Sequence, residues 1–208
     1  MRSRYVTAIF WVTAFIVFDR FFLLGRIAMP STDQLFAHYP NLVFGYRALR
    51  SGELPLWNPY IFAGTDFTES MHNHMLDPLN WLLLTVPEAY IFHLLTLLHF
   101  VELALVGVLG FKIARIYLID AWAALFVALT LQLSQFPWFT MTTLIGAHLL
   151  VLALVGIYLI LTWQQRSLLA SYVLLSLCFF EIFVKGHVGY VAAFGLPVII
   201  AFGVTAWP

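Results

Sequence analysis

Long apolar runs, separated by polar connections, are the feature that most constrains how this chain can fold. A helix of about 20 apolar residues crosses the hydrocarbon core of a bilayer. About six such runs occur here, at residues 5–24, 89–114, 121–136, 147–163, 168–184 and 188–207. The pattern predicts an all-α, polytopic transmembrane protein in which residues 1–208 form a single transmembrane domain.

Composition supports the same fold class. Hydrophobic residues make up 62% of the chain and charged residues only 10%, whereas soluble domains have about a quarter of their residues charged. Because so few charged residues cannot form a water-exposed protein surface, we expect membrane lipid to be the main solvent. The formal net charge is zero, which argues against nucleic acid as a partner. Protein partners are not predicted by this composition.

The distribution of basic residues predicts the orientation in the cell membrane. Basic residues fall on alternate connections, and the positive-inside rule assigns that side to the cytoplasm. They are Arg2, Arg4, Lys112, Arg115 and Arg166. Asp19, Arg20 and the bulky residues 21–24 follow the uncharged stretch 5–18, where a signal peptide would have a cleavage site, which indicates an uncleaved first span. The N-terminus is therefore predicted to be cytoplasmic, and residues 25–87 form a large first extracytoplasmic loop.

This loop is predicted to be ordered. Apolar residues recur at spacings of three and four, which favours an amphipathic helix that lies along the membrane surface and ends near Gly52. They are Leu35, Tyr39, Leu42, Val43, Tyr46 and Leu49. The proline-rich segment that follows places Trp57 and Tyr60 where they can anchor at the interface. An ordered, carboxylate-rich loop suits chemistry on lipid-linked substrates, and it suits equally a lid over a transporter.

Two further sets of polar residues stand out. One set lies in the loop and could bind a metal ion, and the other lies inside the second apolar run. His72, His74 and Asp77 form an H-x-H-x-x-D pattern whose histidines share a face of an extended segment. Without a clear third ligand they are interpreted as surface residues, so no metal site is predicted and a divalent cofactor stays an open alternative. His99 and Glu102 lie inside the second run, where the cost of burial predicts that they face protein or a cavity.

The loop segment GELPLWNPYIFAGT closely resembles the motif of the YfhO-like bacterial membrane proteins, in the GT-C glycosyltransferase superfamily. Shorter segments extend the resemblance over roughly residues 32–190. They are DQLFAHYP, LHFVELALVGVLGFKIAR, AWAALFVALTLQLSQF and VKGHVGY. The resemblance implies a GT-C-like arrangement and an enzyme that moves a sugar from a polyprenyl-phosphate donor to a cell-envelope acceptor outside the membrane. A transporter or flippase of lipid-linked intermediates, or a non-catalytic scaffold, is the alternative.

The resemblance also implies site residues. Asp33 corresponds by position to the superfamily's catalytic base, which accepts the proton of the attacking acceptor hydroxyl; capping of the following helix is its alternative role. Arg47, Arg50, Lys185 and His187 are candidate contacts of the donor phosphate. Lipid headgroups for the two arginines, and a pair with Glu181 for Lys185, are equally open.

Two departures from the family leave the subfamily, the sugar and the acceptor undetermined. Asp66 follows Gly64-Thr65 where the family has proline, and Val188 follows Gly186-His187 where the family again has proline. Proteins of the family are also longer than 208 residues. We therefore expect this chain to be the N-terminal portion of a longer protein.

Overall fold

The computed structural model describes residues 3–18, 39–61, 63–67, 81–117, 120–134, 146–163, 168–184 and 191–206. This part of the chain is mostly helical, as predicted. Its seven α-helices are α1 (Ser3–Phe18), α2 (Tyr39–Arg50), α3 (Ile91–Tyr117), α4 (Ala121–Leu133), α5 (Gly146–Leu161), α6 (Leu168–Val184) and α7 (Leu196–Ala206). Two short strands, β1 (Trp57–Asn58) and β2 (Thr65–Asp66), form a hairpin. Short 3₁₀ turns at Leu82–Thr85 and Glu88–Tyr90 precede α3, and a π turn at Val191–Gly195 precedes α7.

Six of these helices lie within the six apolar runs or overlap most of them. The helix Glu88–Tyr117, which is α3 with its preceding turn, is long and apolar enough to cross a membrane, and it is the one such helix in the described part of the chain. The other apolar helices, α1 and α4–α7, are shorter as described. The six-span topology therefore stays a prediction.

Helix α3 lies at the centre of the bundle that α1 and α3–α7 form, which we call the helical bundle. It packs against α1, α4 and α5, and α5 packs in turn against α6 and α7. Small residues allow these close approaches. A Cβ atom on Gly107 would lie 2.4 Å from the Phe10 ring, and one on Gly156 would lie 3.0 Å from Val198. Ala104 and Ala128 are fully buried at the same contacts.

A buried glutamine joins three helices of the bundle. The side chain of Gln132, on α4, has an exposed fraction of 0%. Its Nε2 donates to the carbonyl oxygens of Phe10 on α1 and Leu103 on α3, at 3.0 and 3.2 Å. Its Oε1 accepts from Thr13 Oγ1 at 2.9 Å. Because its polar atoms are paired inside the bundle, Gln132 fixes the relative positions of these helices.

The surface of the bundle carries many large apolar side chains. Leu169 is 75% exposed and Phe126 is 73% exposed. Others with more than half of their surface exposed are Tyr5, Val12, Phe15, Ile16, Leu97, Tyr117, Trp122, Tyr172, Leu177, Phe180, Leu196, Ile199 and Ile200. Proteins in water rarely expose apolar surface on this scale without a partner to cover it.

Candidate functional site: an aromatic cleft beside helix α2

Helix α2 forms the floor of the candidate site. Its buried residues Leu42 and Tyr46 pack against Leu83, Ile91 and Leu95, where the 3₁₀ turns lead into α3. The helix ends where Gly52 takes a φ of +81°, a conformation that favours glycine. The predicted helix and its end at Gly52 are confirmed within residues 39–52, whereas Leu35 lies outside the described residues and a position along the membrane surface stays a prediction.

The two arginines in the last turn of α2 have different partners. Arg47 makes a two-point ion pair with Glu88, with Nε 2.8 Å from Oε2 and Nη2 2.6 Å from Oε1. The hydrogen bond to the Glu88 carboxylate raises the pKa of Arg47. Arg50 Nη1 instead donates to the Tyr46 hydroxyl at 2.9 Å, and that hydroxyl donates to the Val86 carbonyl oxygen at 2.6 Å.

A tight hairpin forms the wall of the site. Trp57 pairs with Asp66 and Asn58 pairs with Thr65 in antiparallel register. Gly64 has a φ of +108°, and a Cβ atom there would lie 2.4 Å from Cζ2 of Trp57. The Trp57 ring thus rests against the Gly64 backbone, where only glycine leaves room for it.

Buried polar and aromatic contacts hold the hairpin on α2. Asn58 Nδ2 donates to Asn41 Oδ1 at 3.0 Å, and Asn58 Oδ1 accepts from the backbone N–H of Tyr60 at 3.0 Å. Phe44 makes edge-to-face contacts with the rings of Tyr60 and Phe67, with centroid distances of 6.0 and 5.0 Å. The PLWNPY segment is therefore ordered by specific contacts with α2, as the sequence predicted for the loop.

Between the hairpin and α2 lies a cleft with a volume of about 850 Å³. Its aromatic lining consists of Tyr39, Phe44, Trp57 and Tyr60, and its polar lining includes Asn41, Arg47, Ser51, Glu53, Asn58 and Glu88. Burial raises the pKa of the Tyr39 hydroxyl. Apolar walls with a few placed polar groups are typical of small-molecule sites of this size.

The structure locates some of the predicted site residues. Arg47 lines the cleft, whereas Arg50 lies beside it against Tyr46. The other predicted residues lie outside the described part of the chain; they are Asp33, His72, His74, Asp77, Lys185 and His187. Within the described part, no three His, Cys, Asp or Glu residues are placed to hold a metal ion.

Sequence reasoning assigned Trp57 and Tyr60 to the membrane interface and did not foresee that they line a cleft. The structure also buries His148, in the first turn of α5, against Glu102. The proline and glycine residues around Trp57 and Tyr60 were the sequence signal for an ordered site. The chain matches no known family model, no curated protein and no solved structure.

Proposed function

We propose that this chain is a membrane glycosyltransferase of the GT-C type, with the YfhO-like proteins as its family. It transfers a sugar from a polyprenyl-phosphate donor to a cell-envelope acceptor on the extracytoplasmic face. In this proposal the six apolar helices span the cell membrane, the N-terminus is cytoplasmic, and the cleft opens outside. The observation that carries the proposal is the aromatic cleft, because residues of the GELPLWNPYIFAGT motif build it.

The exposed apolar surface of the helical bundle supports the membrane part of the proposal. Side chains such as Phe126, Leu169 and Ile200 project from different helices. Hydrocarbon tails cover such side chains without the cost that water would impose. Trp57 and Tyr60 lie in the segment between α1 and α3, where aromatic rings suit the interface between lipid and water.

The lining of the cleft supports the sugar-binding part. A pyranose ring has an apolar C–H face and a rim of hydroxyl groups. The rings of Trp57 and Tyr60 can cover the apolar face, while the exposed carboxylate of Glu53 can accept hydrogen bonds from hydroxyls. A volume of about 850 Å³ is large enough for one or two sugar rings.

The proposed roles of the charged residues follow from the proton and the phosphate that the reaction releases. Asp33 accepts the proton of the acceptor hydroxyl, and a nearby cation stabilises the polyprenyl-phosphate leaving group. Arg47 is the described candidate that lines the cleft, and a phosphate there would replace Glu88 as its partner. Arg50, Lys185 and His187 are the further proposed phosphate contacts.

The test is transfer of labelled sugar from a polyprenyl-phosphate donor in proteoliposomes that contain the full chain. Tyr60→Ala removes one aromatic wall, and a lost ring contact is expected to weaken apparent donor affinity roughly twofold to tenfold. Trp81→Ala is the matched control, since Trp81 is exposed and does not line the cleft. Equal effects of the two variants would remove the cleft from the mechanism. Donor movement across the bilayer without transfer would favour the flippase alternative.

Orientation is tested separately by thiol labelling in intact cells. Cys178, which is buried, is first replaced by serine. Cysteines at Ser51 and Thr65 are expected to react with an impermeant reagent, because the proposed cleft faces outward, and a cysteine at Gln165 is expected not to react. The opposite pattern would overturn the orientation and leave the cleft itself unaffected.

A further inference from the structure

Two histidines from different helices share one buried carboxylate inside the helical bundle. His99 Nδ1 lies 3.0 Å from Glu102 Oε2, and His148 Nδ1 lies 3.1 Å from Glu102 Oε1. Glu102 and His148 are each only 8% exposed. His99 and Glu102 lie one turn apart on α3, and His148 lies in the first turn of α5, so the cluster connects these two helices.

Among the described residues, the ion pairs of Glu102 are those with the two histidines, and none is with a lysine or arginine. The described side chains of α1 (residues 5–16) and of α4 carry no Asp, Glu, Lys, Arg or His. Toward the start of α3, His93 is exposed and Glu88 is paired with Arg47. Lys112 lies ten residues further along α3, roughly 15 Å away at the helical rise, and its Nζ is over the Tyr158 ring. By sequence the titratable side chains of α6 are Tyr172, Cys178 and Glu181, and α7 contributes none.

Hydrogen-bond chemistry then determines where protons lie. An ionised carboxylate only accepts hydrogen bonds, so both imidazoles must present Nδ1–H to Glu102. This leaves the Nε2 atoms as the remaining sites for a proton. Nε2 of His99 is buried and has no hydrogen-bond partner among the described residues.

With two neutral imidazoles the cluster has a charge of −1, which is costly in an apolar interior without a compensating cation. One proton on an Nε2 atom converts that imidazole to imidazolium and brings the charge of the cluster to zero. A buried N–H without a partner costs less than an uncompensated buried charge. A proton can also bind to the buried cluster without a cavity to hold it.

We propose that His99, Glu102 and His148 form a proton-binding site that takes up one proton. The site lies in the half of α3 that follows the loop, next to the start of α5. It is independent of the proposed glycosyl transfer, because it involves none of the residues that line the cleft.

The test is ¹⁵N solid-state NMR of the full chain, labelled at its seven histidines, in lipid bilayers at pH 7. Wild type is expected to show Nδ1–H on both cluster imidazoles and one of the two protonated on both nitrogens. His99→Gln and His148→Gln difference spectra assign the signals. Glu102→Gln is expected to abolish the doubly protonated signal, because the amide leaves no charge to balance.

His93→Gln is the matched control on the same helix, since His93 is exposed, and it should leave the cluster signals unchanged. The proposal is overturned if Glu102→Gln retains the doubly protonated cluster signal. It is also overturned if wild type lacks Nδ1–H on either imidazole or shows no imidazole protonated on both nitrogens, measurements that do not depend on whether a variant folds.

Discussion

The helical bundle and the segment that joins its first two helices are built by different means. The segment, which we call the loop unit, comprises residues 39–61, 63–67 and 81–90. The loop unit is held by polar contacts such as that of Asn58 with Asn41, by edge-to-face contacts between aromatic rings, and by glycines at positive φ. The bundle is held by small residues at helix contacts and by the two polar centres at Gln132 and Glu102.

The difference follows from the solvent that each region is proposed to meet. In lipid there is little hydrophobic drive to bring helices together, so close packing and interhelical hydrogen bonds must supply the stability. Next to water, amphipathic packing and turn chemistry are enough to order a short segment. The contacts of the loop unit therefore position side chains around the cleft, whereas the contacts of the bundle hold its helices together.

The largest expected effect tests whether sugar transfer depends on Asp33, which precedes the loop unit in the sequence. Asp33→Asn keeps the size of the side chain and much of its capping ability, because Asn caps helices about as well as Asp. The amide cannot accept a proton, so sugar transfer in proteoliposomes is expected to fall roughly 10²–10⁴-fold. Thermal stability should match wild type. Full activity in this variant would exclude Asp33 as the base and leave it a capping residue.

The next effect tests the bundle. Gln132→Leu removes the interhelical hydrogen bonds to Phe10, Leu103 and Thr13, and it is expected to lower the free energy of unfolding by roughly 1–3 kcal/mol. Thr130→Leu is the control, because Thr130 is exposed on the same helix. Thermal unfolding in detergent measures both. Equal stability of the two variants would show that the Gln132 contacts do not hold α1, α3 and α4 together.

A smaller effect separates backbone strain from the shape of the cleft. Gly64→Ala and Gly52→Ala both put a Cβ at positive φ, which costs roughly 1–2 kcal/mol. Only at Gly64 does the new atom meet the Trp57 ring, since nothing lies within 4 Å of a Cβ at Gly52. We expect both variants to unfold earlier, and only Gly64→Ala to reduce sugar transfer by displacing Trp57. Equal transfer in both would separate Trp57 from the activity.

The smallest effect concerns one hydrogen bond of the loop unit. Tyr46→Phe removes the hydroxyl that donates to Val86 and accepts from Arg50. The expected loss is roughly 0.5–1.5 kcal/mol in unfolding free energy. Tyr60→Phe is the control, because Tyr60 is largely exposed. If Tyr46→Phe were as stable as the control, the link between α2 and the turn before α3 would not depend on this hydroxyl.

The sequence by itself determined the helical class, the positions of the six apolar helices, and the end of α2 at Gly52. Those features depend on local properties, which are the length and hydrophobicity of a run and the backbone freedom of one glycine. They can be predicted without knowing what any segment packs against. Their crossing of a membrane stays a prediction, because a run of apolar residues also forms buried helices.

Only the tertiary structure decided which side chains meet. His99 and His148 are 49 positions apart in the numbering, and Gln132 contacts residues of α1 that precede it by more than 100 positions. The cleft likewise depends on how the hairpin folds back onto α2, where Asn58 donates a hydrogen bond to Asn41. It also depends on the ion pair between Arg47 and Glu88. Helical periodicity indicates which face of a helix is apolar and does not indicate which helix covers it, because contacts between distant segments depend on how whole faces fit together.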